Sequence, residues 1–321
     1  MNMAKRGHVE SYFFRLNSPD SKRALWLKAT AFVPRGKPEG STAEAWVIAF
    51  TRGGKPTALK SSIPLKEAVF PREGEDELNI DTNDFTVSNN RLSGKWENGK
   101  HEISCDLKMQ VHENPMELFF HKKLYTMRFP KTKLVTPAPV ATFDGEYVVD
   151  GERVEVKGWK GMGGHNWGSE HTPVYVWCQI NSWDGNEDIV FEGVTARARM
   201  GRRLTPSMTI VTIKAEGETF SFNGPIRMFL NRGLIGPMKW NFSAGDDIEG
   251  VSGEVVASPA ESAGLYYRNP DGSVIHCLNS KLASAKLALK RPGKPETILT
   301  SNQAALELGS PDKCYGVEML V

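Results

Sequence analysis

The chain has 321 residues, about twice the size of a common domain, which favours two domains over one. Hydrophobic residues (40%) and charged residues (24%) occur in the proportions of ordinary globular proteins. The formal net charge of +2 argues against nucleic acid as a partner, and the lack of 18 consecutive apolar residues argues against an integral membrane segment.

Short strands dominate the predicted elements of the N-terminal half. Strands are predicted over 24–33 and 43–50, where apolar and β-branched residues are frequent. A short helix is predicted over 61–69, because Ser62 suits a helix cap and Pro64 suits the first turn. Little else in the chain has a helical period, so helices are expected to be few.

Hairpin turns are predicted where a glycine follows a turn-forming residue, because both central positions of a type I′ turn need positive φ. The predicted turns and cross-strand pairs are Asn98-Gly99 with Leu92 opposite Cys105, Asp150-Gly151 with Tyr147 opposite Val154, and Glu216-Gly217 with Val211 opposite Phe222. A longer turn is predicted at Asn269-Pro270-Asp271-Gly272. This succession of strands and turns predicts an all-β fold of sandwich or barrel type.

The four cysteines lie far apart and include no C-x-x-C pair. Cys105, Cys178, Cys277 and Cys314 are therefore interpreted as small buried hydrophobic residues in a reducing compartment, not as a zinc site or a disulfide framework. A cytoplasmic location is expected.

Residues 158–171, GWKGMGGHNWGSEH, are the most unusual segment of the sequence. The density of glycine makes this segment the best candidate for a domain boundary, which divides the chain into domains 1–160 and 161–321. The proline-rich stretch 130–139 is a second candidate. The glycines would also let the backbone pass close beneath large aromatic rings.

Four tryptophans fall within 25 residues of one another in and after this segment. They are Trp159, Trp167, Trp177 and Trp183. Each tryptophan can bury roughly 150–250 Å². The cluster therefore predicts either unusually dense packing or a large aromatic pocket.

Polar residues of the same region are candidates for acid–base chemistry. His165, Glu170 and His171 have the spacing H-x-x-x-x-E-H, which does not place two histidines on one helical face, so no metal site is predicted. A histidine titrates near neutrality, and a carboxyl in an aromatic pocket has a raised pKa. Asp184 is a further candidate, although Asp184-Gly185 is also typical of a simple turn.

The pattern of these residues resembles a known family. The motifs are Gly158-Trp159, Gly164-His165-Asn166-Trp167-Gly168 and Trp177, together with ESYFFRLNSP at 10–19 and ALWLK at 24–28. They resemble the AttH-like proteins, also called the hydroxyneurosporene synthase (carotenoid 1,2-hydratase) superfamily. The resemblance extends in order over nearly the whole chain.

The resemblance implies two lipocalin-like β-domains in tandem, with the His-Asn-Trp-Gly box near their junction. Similar proteins include carotenoid hydratases, tocopherol cyclases and fungal Diels–Alder cyclases, which use acid catalysis or shape-directed cyclisation on long apolar substrates. The resemblance implies no separate cofactor. The aspartate that the hydratases are thought to use as proton donor has no matching motif in this chain.

Three functional hypotheses follow. In the first, an apolar small molecule binds at the domain junction and is hydrated, isomerised or cyclised, with His165, Glu170 or Asp184 as acid–base groups. Its predicted ligand-binding residues are Trp159, Asn166, Trp167, His171, Trp177 and Trp183. In the second, the protein is a non-catalytic carrier of a lipid or pigment. In the third, the box only stabilises the junction. All three are compatible with peripheral contact to a membrane.

Overall fold

The computed structural model describes residues 3–71, 77–186, 188–201 and 203–321, apart from the side chains of Met3 and Ala4. Almost every regular element in these ranges is an antiparallel strand, and the predicted all-β fold is confirmed. The helices in these ranges are single turns: α1 (Met3–Arg6), α2 (Lys123–Thr126) and α3 (Arg227–Leu230), with 3₁₀ turns at Pro38–Gly40, Leu65–Glu67 and Pro259–Glu261. None of them has the length to cross a bilayer.

The first sheet contains eleven strands from the N-terminal half, in the order β4-β3-β2-β1-β11-β10-β8-β7-β6-β5, with β9 paired to β10. The strands are β1 (His8–Asn17), β2 (Arg23–Val33), β3 (Thr42–Thr51), β4 (Thr57–Pro64), β5 (Ile80–Asp81), β6 (Phe85–Ser88), β7 (Arg91–Glu97), β8 (Glu102–Val111), β9 (Met116–Glu117), β10 (Thr132–Val149) and β11 (Glu152–Gly168).

The second sheet contains ten strands, in the order β17-β16-β13-β12-β23-β22-β20-β19-β18, with β21 paired to β22. The strands are β12 (Val174–Ile180), β13 (Ile189–Arg197), β16 (Met208–Ala215), β17 (Glu218–Phe222), β18 (Arg232–Gly236), β19 (Lys239–Gly245), β20 (Gly250–Val256), β21 (Ala263–Arg268), β22 (Val274–Lys290) and β23 (Thr297–Ser310). A separate ribbon consists of β14 (Arg199–Met200) and β15 (Arg203–Leu204). Two large antiparallel sheets of this kind are consistent with tandem lipocalin-like domains.

Two of the predicted hairpins have the predicted register. Tyr147 lies opposite Val154 across the Asp150-Gly151 turn. Val211 lies opposite Phe222 across the Glu216-Gly217 turn. All four turn residues have positive φ, as a type I′ turn requires.

The register predicted for the Asn98-Gly99 hairpin is wrong by two residues. Leu92 lies opposite Leu107, not opposite Cys105, because the connection between β7 and β8 contains four residues. The carboxamide Oδ1 of Asn98 accepts the backbone N–H groups of Lys100 and His101, so the side chain closes a wider turn than the dipeptide alone implies. Because the register is shifted by two residues and side chains alternate along a strand, the apolar faces of both strands still coincide.

The helix predicted over 61–69 is also wrong. Its first four residues belong to β4, where they pair with β3, and only Leu65–Glu67 forms a 3₁₀ turn. A cap residue and a proline indicate where a helix could begin. The backbone hydrogen bonds to the neighbouring strand β3 determine that the segment forms a strand instead.

The glycine-rich segment is a strand. Residues 158–168 continue β11 without interruption and pair with β1 on one side and β10 on the other. The boundary predicted at residues 160 and 161 therefore falls inside a strand of the first sheet. The two sheets divide between Gly168 and Val174, where the chain leaves β11 and enters β12.

Three groups of buried side chains hold the two sheets. One fills the first sheet and includes Phe85, Trp96 and Trp159. A second fills the second sheet and includes Trp183 and Trp240. The third, which we call the interface core, joins Phe13, Trp26, Trp46 and Met162 of the first sheet to Trp177, Leu265, Tyr267 and Leu282 of the second. The functional candidates lie around this interface core.

Candidate functional site

A cavity of about 330 Å³ lies between the two sheets. Strands β1, β2, β10 and β11 contribute one wall, and strands β12, β13, β16, β21 and β23 contribute the other. The lining is mostly apolar and includes Phe13, Trp26, Leu134, Trp177, Val194 and Ile210. Concave, largely apolar sites of this size are typical of small-molecule binding.

Two irregular segments frame one end of the cavity, which we call the mouth. Phe120, Leu124 and Phe129 come from residues 113–131, which include α2, and Met228 comes from α3. The side-chain amide of Asn223 donates to the carbonyl oxygen of Leu118 at 2.9 Å, and this bond ties the two segments together.

Polar residues in the wall of the cavity form a connected group, which we call the polar end. Lys28 Nζ lies 3.8 Å from the ring centroid of Tyr267. The imidazole of His171 stacks on the same tyrosine ring at 5.0 Å. The Tyr175 hydroxyl donates to Cys277 Sγ at 3.5 Å. All of these residues except Cys277 line the cavity.

Burial controls the protonation of the polar end. Burial lowers the pKa of Lys28 to about 8, although the charges of Glu307 and Glu44 oppose this shift. Burial, reinforced by the Lys28 charge, lowers the pKa of His171 to about 3. At neutral pH His171 is therefore a neutral imidazole and Lys28 is still largely a cation.

The carboxylate of Glu307 also lines the polar end, but it already has partners. Its Oε1 accepts from Lys281 Nζ at 2.8 Å and from the Asn279 amide at 3.0 Å. The Cys277 thiol donates to its Oε2 at 3.8 Å. The negative charge of Glu307 is thus already compensated by the fully buried Lys281.

The His-Asn-Trp-Gly box does not form one surface, because alternate residues of a strand face opposite sides. Asn166 faces the cavity between the sheets. His165 and Trp167 face the other side of the first sheet, together with Tyr12. Only one member of the box therefore reaches the cavity.

His165 and Trp167 belong to a stack of four aromatic rings. His165 lies 4.2 Å from Tyr12 and 4.6 Å from Trp167, and Trp167 stacks at 6.0 Å on Tyr125 of α2. The stack fixes β11 against β1 and against the segment that frames the mouth. The face of β11 that carries Asn166 is held in place by this arrangement.

A carboxylate anchors the stack. Glu10 lies 2.9 Å from His165 Nε2, 3.0 Å from His8 Nε2 and 3.0 Å from the Tyr12 hydroxyl. Burial alone would raise the pKa of Glu10, but hydrogen bonds from His165 and His8 outweigh burial and hold the pKa well below its ordinary value. His165 is thus the partner of a permanently ionised carboxylate.

Two glycines just before the box make room for the rings of β1. A Cβ on Gly164 would lie 2.2 Å from the Phe13 ring, which lines the cavity. A Cβ on Gly163 would lie 3.2 Å from Phe14 on the opposite face. Close approach of backbone and ring, and not a bend in the chain, is what glycine provides here.

The remaining predicted site residues lie away from the cavity. Trp159 is in the core of the first sheet, and Trp183 is in the core of the second, where its indole N–H donates to the Ile189 carbonyl. Asp184 lies in the exposed turn after β12 and accepts from the Thr300 hydroxyl. Glu170 is buried in an ion pair with Lys131 at 3.0 Å, beside a small pocket next to the mouth. The four tryptophans do not line one pocket.

Of the nine predicted residues, Asn166, His171 and Trp177 are the ones that line the cavity. Lys28, Tyr175, Tyr267 and Glu307 were not predicted, although Lys28 and Glu307 carried a signal. Each is a charged residue inside a long apolar stretch, ALWLKATAF for Lys28 and AALELG for Glu307. Charged residues in such strands are rarely buried unless they have a partner or a function.

The indole of Trp177 connects the cavity wall to a second buried carboxyl. Its N–H donates to Glu192 Oε1 at 2.9 Å, and the Thr136 hydroxyl donates to the same carboxyl at 2.8 Å. Burial raises the pKa of Glu192 to about 7, against the effect of these two donors. No cation lies among the partners of Glu192 in the described residues.

The fold and the site define a two-sheet antiparallel β-protein with an apolar cavity between its sheets and ionisable groups in the wall of that cavity. Among solved structures, the chain is similar to a protein from Nitrosomonas europaea assigned as an AttH, with a TM-score of 0.57 and 13% identity, over 95% of this chain and 93% of that one. It is also similar to kievitone hydratase from Nectria haematococca, with a TM-score of 0.52 and 10% identity, over 94% of this chain and 88% of that one.

The chain therefore shares the fold of these two structures, which agrees with the fold that the resemblance of its sequence motifs implies. At these identities the likeness is one of fold. No protein-family model matches the sequence. No curated protein matches it either.

Proposed function

We propose that this protein binds an apolar small molecule in the cavity between its sheets. The main support for this proposal is the distribution of polar groups in the cavity. Both sheets supply apolar walls, and the polar residues cluster at the polar end, which contains Lys28, His171, Tyr175 and Glu307. A few convergent polar groups in an apolar cavity orient a ligand that is itself mostly apolar. From the predicted set, Asn166, His171 and Trp177 would contact the ligand.

We propose further that the bound molecule undergoes proton-assisted hydration, isomerisation or cyclisation, without a separate cofactor. The likeness to the fold of a hydratase supports this class of reaction. His171 supports it too, because a neutral imidazole on the cavity wall both donates and accepts hydrogen bonds and suits the orientation of a water molecule. The polar end, and not His165, Glu170 or Asp184, would supply the ionisable groups.

One observation favours the carrier hypothesis as a second candidate. Of the four residues predicted as candidates for acid–base chemistry, all in the described part of the chain, His165, Glu170 and Asp184 do not line the cavity. In a carrier the box would hold the wall that presents Asn166, and the polar end would only orient the cargo. For either function we propose a cytoplasmic location, which suits four cysteines that form no disulfide with one another.

Filling the cavity tests the binding proposal. Ala196, on β13, lines the cavity, so Ala196→Trp should occupy space that the ligand needs. We expect the affinity for a fluorescent polyene, cis-parinaric acid, to fall at least tenfold. The matched control is Ile298→Trp on β23, where the side chain is 51% exposed. If circular dichroism shows that the Ala196→Trp protein is folded and its affinity equals that of the natural chain, the ligand binds elsewhere.

Isotope incorporation separates the enzyme from the carrier. Ligands that bind to the protein, but not to its Ala196→Trp variant, are incubated in D₂O and in H₂¹⁸O and examined by mass spectrometry. An enzyme of the proposed class incorporates deuterium, or adds labelled water, at a rate that Ala196→Trp abolishes. A carrier returns the ligand with its mass unchanged.

A further inference from the structure

Lys28 is an unusual group to find in the wall of an apolar cavity. Its side chain is 3% exposed, and it lies on β2 between Phe13 of β1 and Trp46 of β3 in the sheet register. Among the described residues, its ammonium group has no hydrogen-bond acceptor and no carboxylate within ion-pair distance. Its near neighbours are the rings of Tyr267 at 3.8 Å, Trp46 at 5.6 Å and Trp26 at 5.9 Å.

Aromatic rings alone compensate a buried ammonium group only in part. A cation–π contact contributes about 0.5–2 kcal/mol, whereas a buried charge without a hydrogen-bonded partner has a far larger desolvation cost. The lowered pKa of Lys28 reports that cost. Trp26, which also lines the cavity, has an indole N–H without an acceptor. Two residues that line the cavity thus have donors that lack acceptors within the described residues.

The carboxylates near Lys28 do not supply an acceptor for its ammonium group, because they already have other partners. Glu307 accepts from Lys281 and Asn279. Glu44 pairs with Lys60 at 2.9 Å and with Arg268 at 2.6 Å. The remaining titratable groups around Lys28 are His171, Tyr175, Tyr267 and Cys277. Burial keeps His171 neutral, and it raises the pKa values of the other three, so they too are uncharged near neutral pH.

We propose that the polar end is a carboxylate-binding subsite, in which Lys28 forms an ion pair with the acid group of an otherwise apolar ligand. This proposal rests on the proposed function, because it names the ligand class of the same cavity. The ligand would place its carboxylate next to Lys28 and its hydrocarbon part along Phe13, Trp177 and Val194 towards the mouth. A carboxylate offers the acceptors that the ammonium group lacks.

A pair of probes that differ only in charge tests the subsite: cis-parinaric acid and its methyl ester. In Lys28→Met we expect affinity for the acid to fall roughly 10- to 100-fold, because a hydrogen bond to a charged group is lost. Affinity for the ester should change less than threefold. The matched control is Lys60→Met, which removes a lysine that stacks on Trp46 but does not line the cavity.

The pH dependence provides a second readout. Affinity of the natural chain for the acid should decline as pH rises above about 8, when Lys28 of the free protein loses its proton. The ester should show no such decline. Equal loss of acid and ester in Lys28→Met, or no loss of either, overturns the subsite. If neither probe distinguishes the natural chain from Ala196→Trp, the cavity itself is not the binding site, and the proposed function fails instead.

A second feature, the surface around the mouth, carries an independent inference. Large apolar side chains are exposed on both segments that frame the mouth: Phe120 (44%), Met127 (54%) and Phe129 (44%) near α2, and Ile226 (74%) and Leu230 (69%) beside and on α3. An apolar patch of this kind marks a contact surface.

Basic residues accompany the apolar ones. Lys122, Lys123 and Arg128 are exposed, and their side chains have no acidic partner within the described part of the chain. From residue 118 to residue 143 the sequence contains no aspartate or glutamate. Exposed apolar side chains beside unpaired lysines match the interface of an anionic bilayer, which offers hydrocarbon and negative charge together.

We propose that the mouth docks on an anionic membrane surface, from which an apolar ligand enters the cavity. Flotation with vesicles of phosphatidylglycerol and phosphatidylcholine tests this proposal. Lys122→Gln and Lys123→Gln should each weaken binding roughly fivefold, and Phe120→Ser with Met127→Ser should abolish it. The control is Ile298→Ser. The proposal is overturned if the natural chain does not bind the vesicles, or if these variants bind them equally well. It is also overturned if light scattering shows a dimer that the same variants disrupt, because the surface would then be an interface between two copies of the chain.

Discussion

Replacing Arg15 with methionine is expected to lower the free energy of unfolding by roughly 3–5 kcal/mol. Arg15 is fully buried on β1, yet its guanidinium donates across the interface to the side-chain oxygens of Gln179 and, at 2.8 Å, Asn181, and within β1 to Asn17 at 2.6 Å. Each buried acceptor left without its donor costs about 1–3 kcal/mol. Methionine retains the unbranched stem but leaves all three oxygens unpaired.

The effect should appear as a loss of coupling between the two sheets. Asn181 also donates to Gly161 of β11 and to Pro139 of β10, so Arg15 stabilises a network that spans the interface. Urea unfolding followed by circular dichroism and by tryptophan fluorescence is the measurement, with Arg153→Met on the exposed face of β11 as the control. If Arg15→Met does not change the urea concentration at the unfolding midpoint, this network contributes little to the stability of the protein.

Short sequence motifs predict those turns whose geometry depends only on the residues of the turn itself. The Asp150-Gly151 and Glu216-Gly217 turns have the predicted register, because positive φ at two central residues leaves little choice of connection. At Asn98-Gly99 the same signal failed, because the Asn98 side chain accepts two backbone N–H groups and widens the turn. The dipeptide alone does not reveal which of the two geometries forms.

The candidate site depends on contacts between residues far apart in the sequence. The glycine density of residues 158–171 predicts a break between domains, but β1 and β10 lie on either side of β11 and continue the strand through these glycines as far as Gly168. Asn166, His171 and Trp177 could be predicted because they lie in or close after the box. Lys28 and Glu307 could not be placed together, since 279 residues separate them and only the packing of β2 against the second sheet brings both to one cavity.

Charged residues inside apolar strands mark the interface between the two sheets. Arg15, Lys28 and Lys281 each interrupt a strand that is otherwise largely apolar, and each lies at the interface between the sheets. Arg15 is hydrogen-bonded to amide oxygens, and Lys281 is paired with Glu307. Lys28 differs from both, because the described residues offer it only aromatic rings. This contrast distinguishes a structural cation from one that is available to a ligand.

The second large effect is expected from Glu192, through the dependence of stability on pH. Its pKa is raised from 4.5 to about 7 in the folded protein, chiefly by burial. Below pH 4.5 the carboxyl is protonated in both the folded and unfolded chains, and no penalty exists. Between pH 4.5 and pH 7 the folded chain binds more protons than the unfolded one, so stability falls as pH rises. Above pH 7 the full penalty, about 3 kcal/mol, is present.

Glu192→Gln should remove this penalty. Glutamine retains the oxygen that accepts from Trp177 and cannot ionise, so the variant should match the natural chain in stability at pH 4 and exceed it by about 3 kcal/mol at pH 8. Urea unfolding at the two pH values measures the difference, and comparison at each pH cancels groups that titrate in opposition, such as His171 and Glu10. Glu155→Gln, on the exposed part of β11, is the control.

The direction of the change is the decisive part of this experiment. If Glu192 were instead ionised and stabilised by a donor network, its replacement would destabilise the protein more at pH 8 than at pH 4, which is the opposite sign. The predicted sign would mean that the Trp177 indole, one wall of the cavity, is held by a carboxyl whose ionisation opposes folding. A protein that retains such a group behind the cavity wall, bonded to Trp177, accepts a loss of stability next to the place where its ligand is expected to bind.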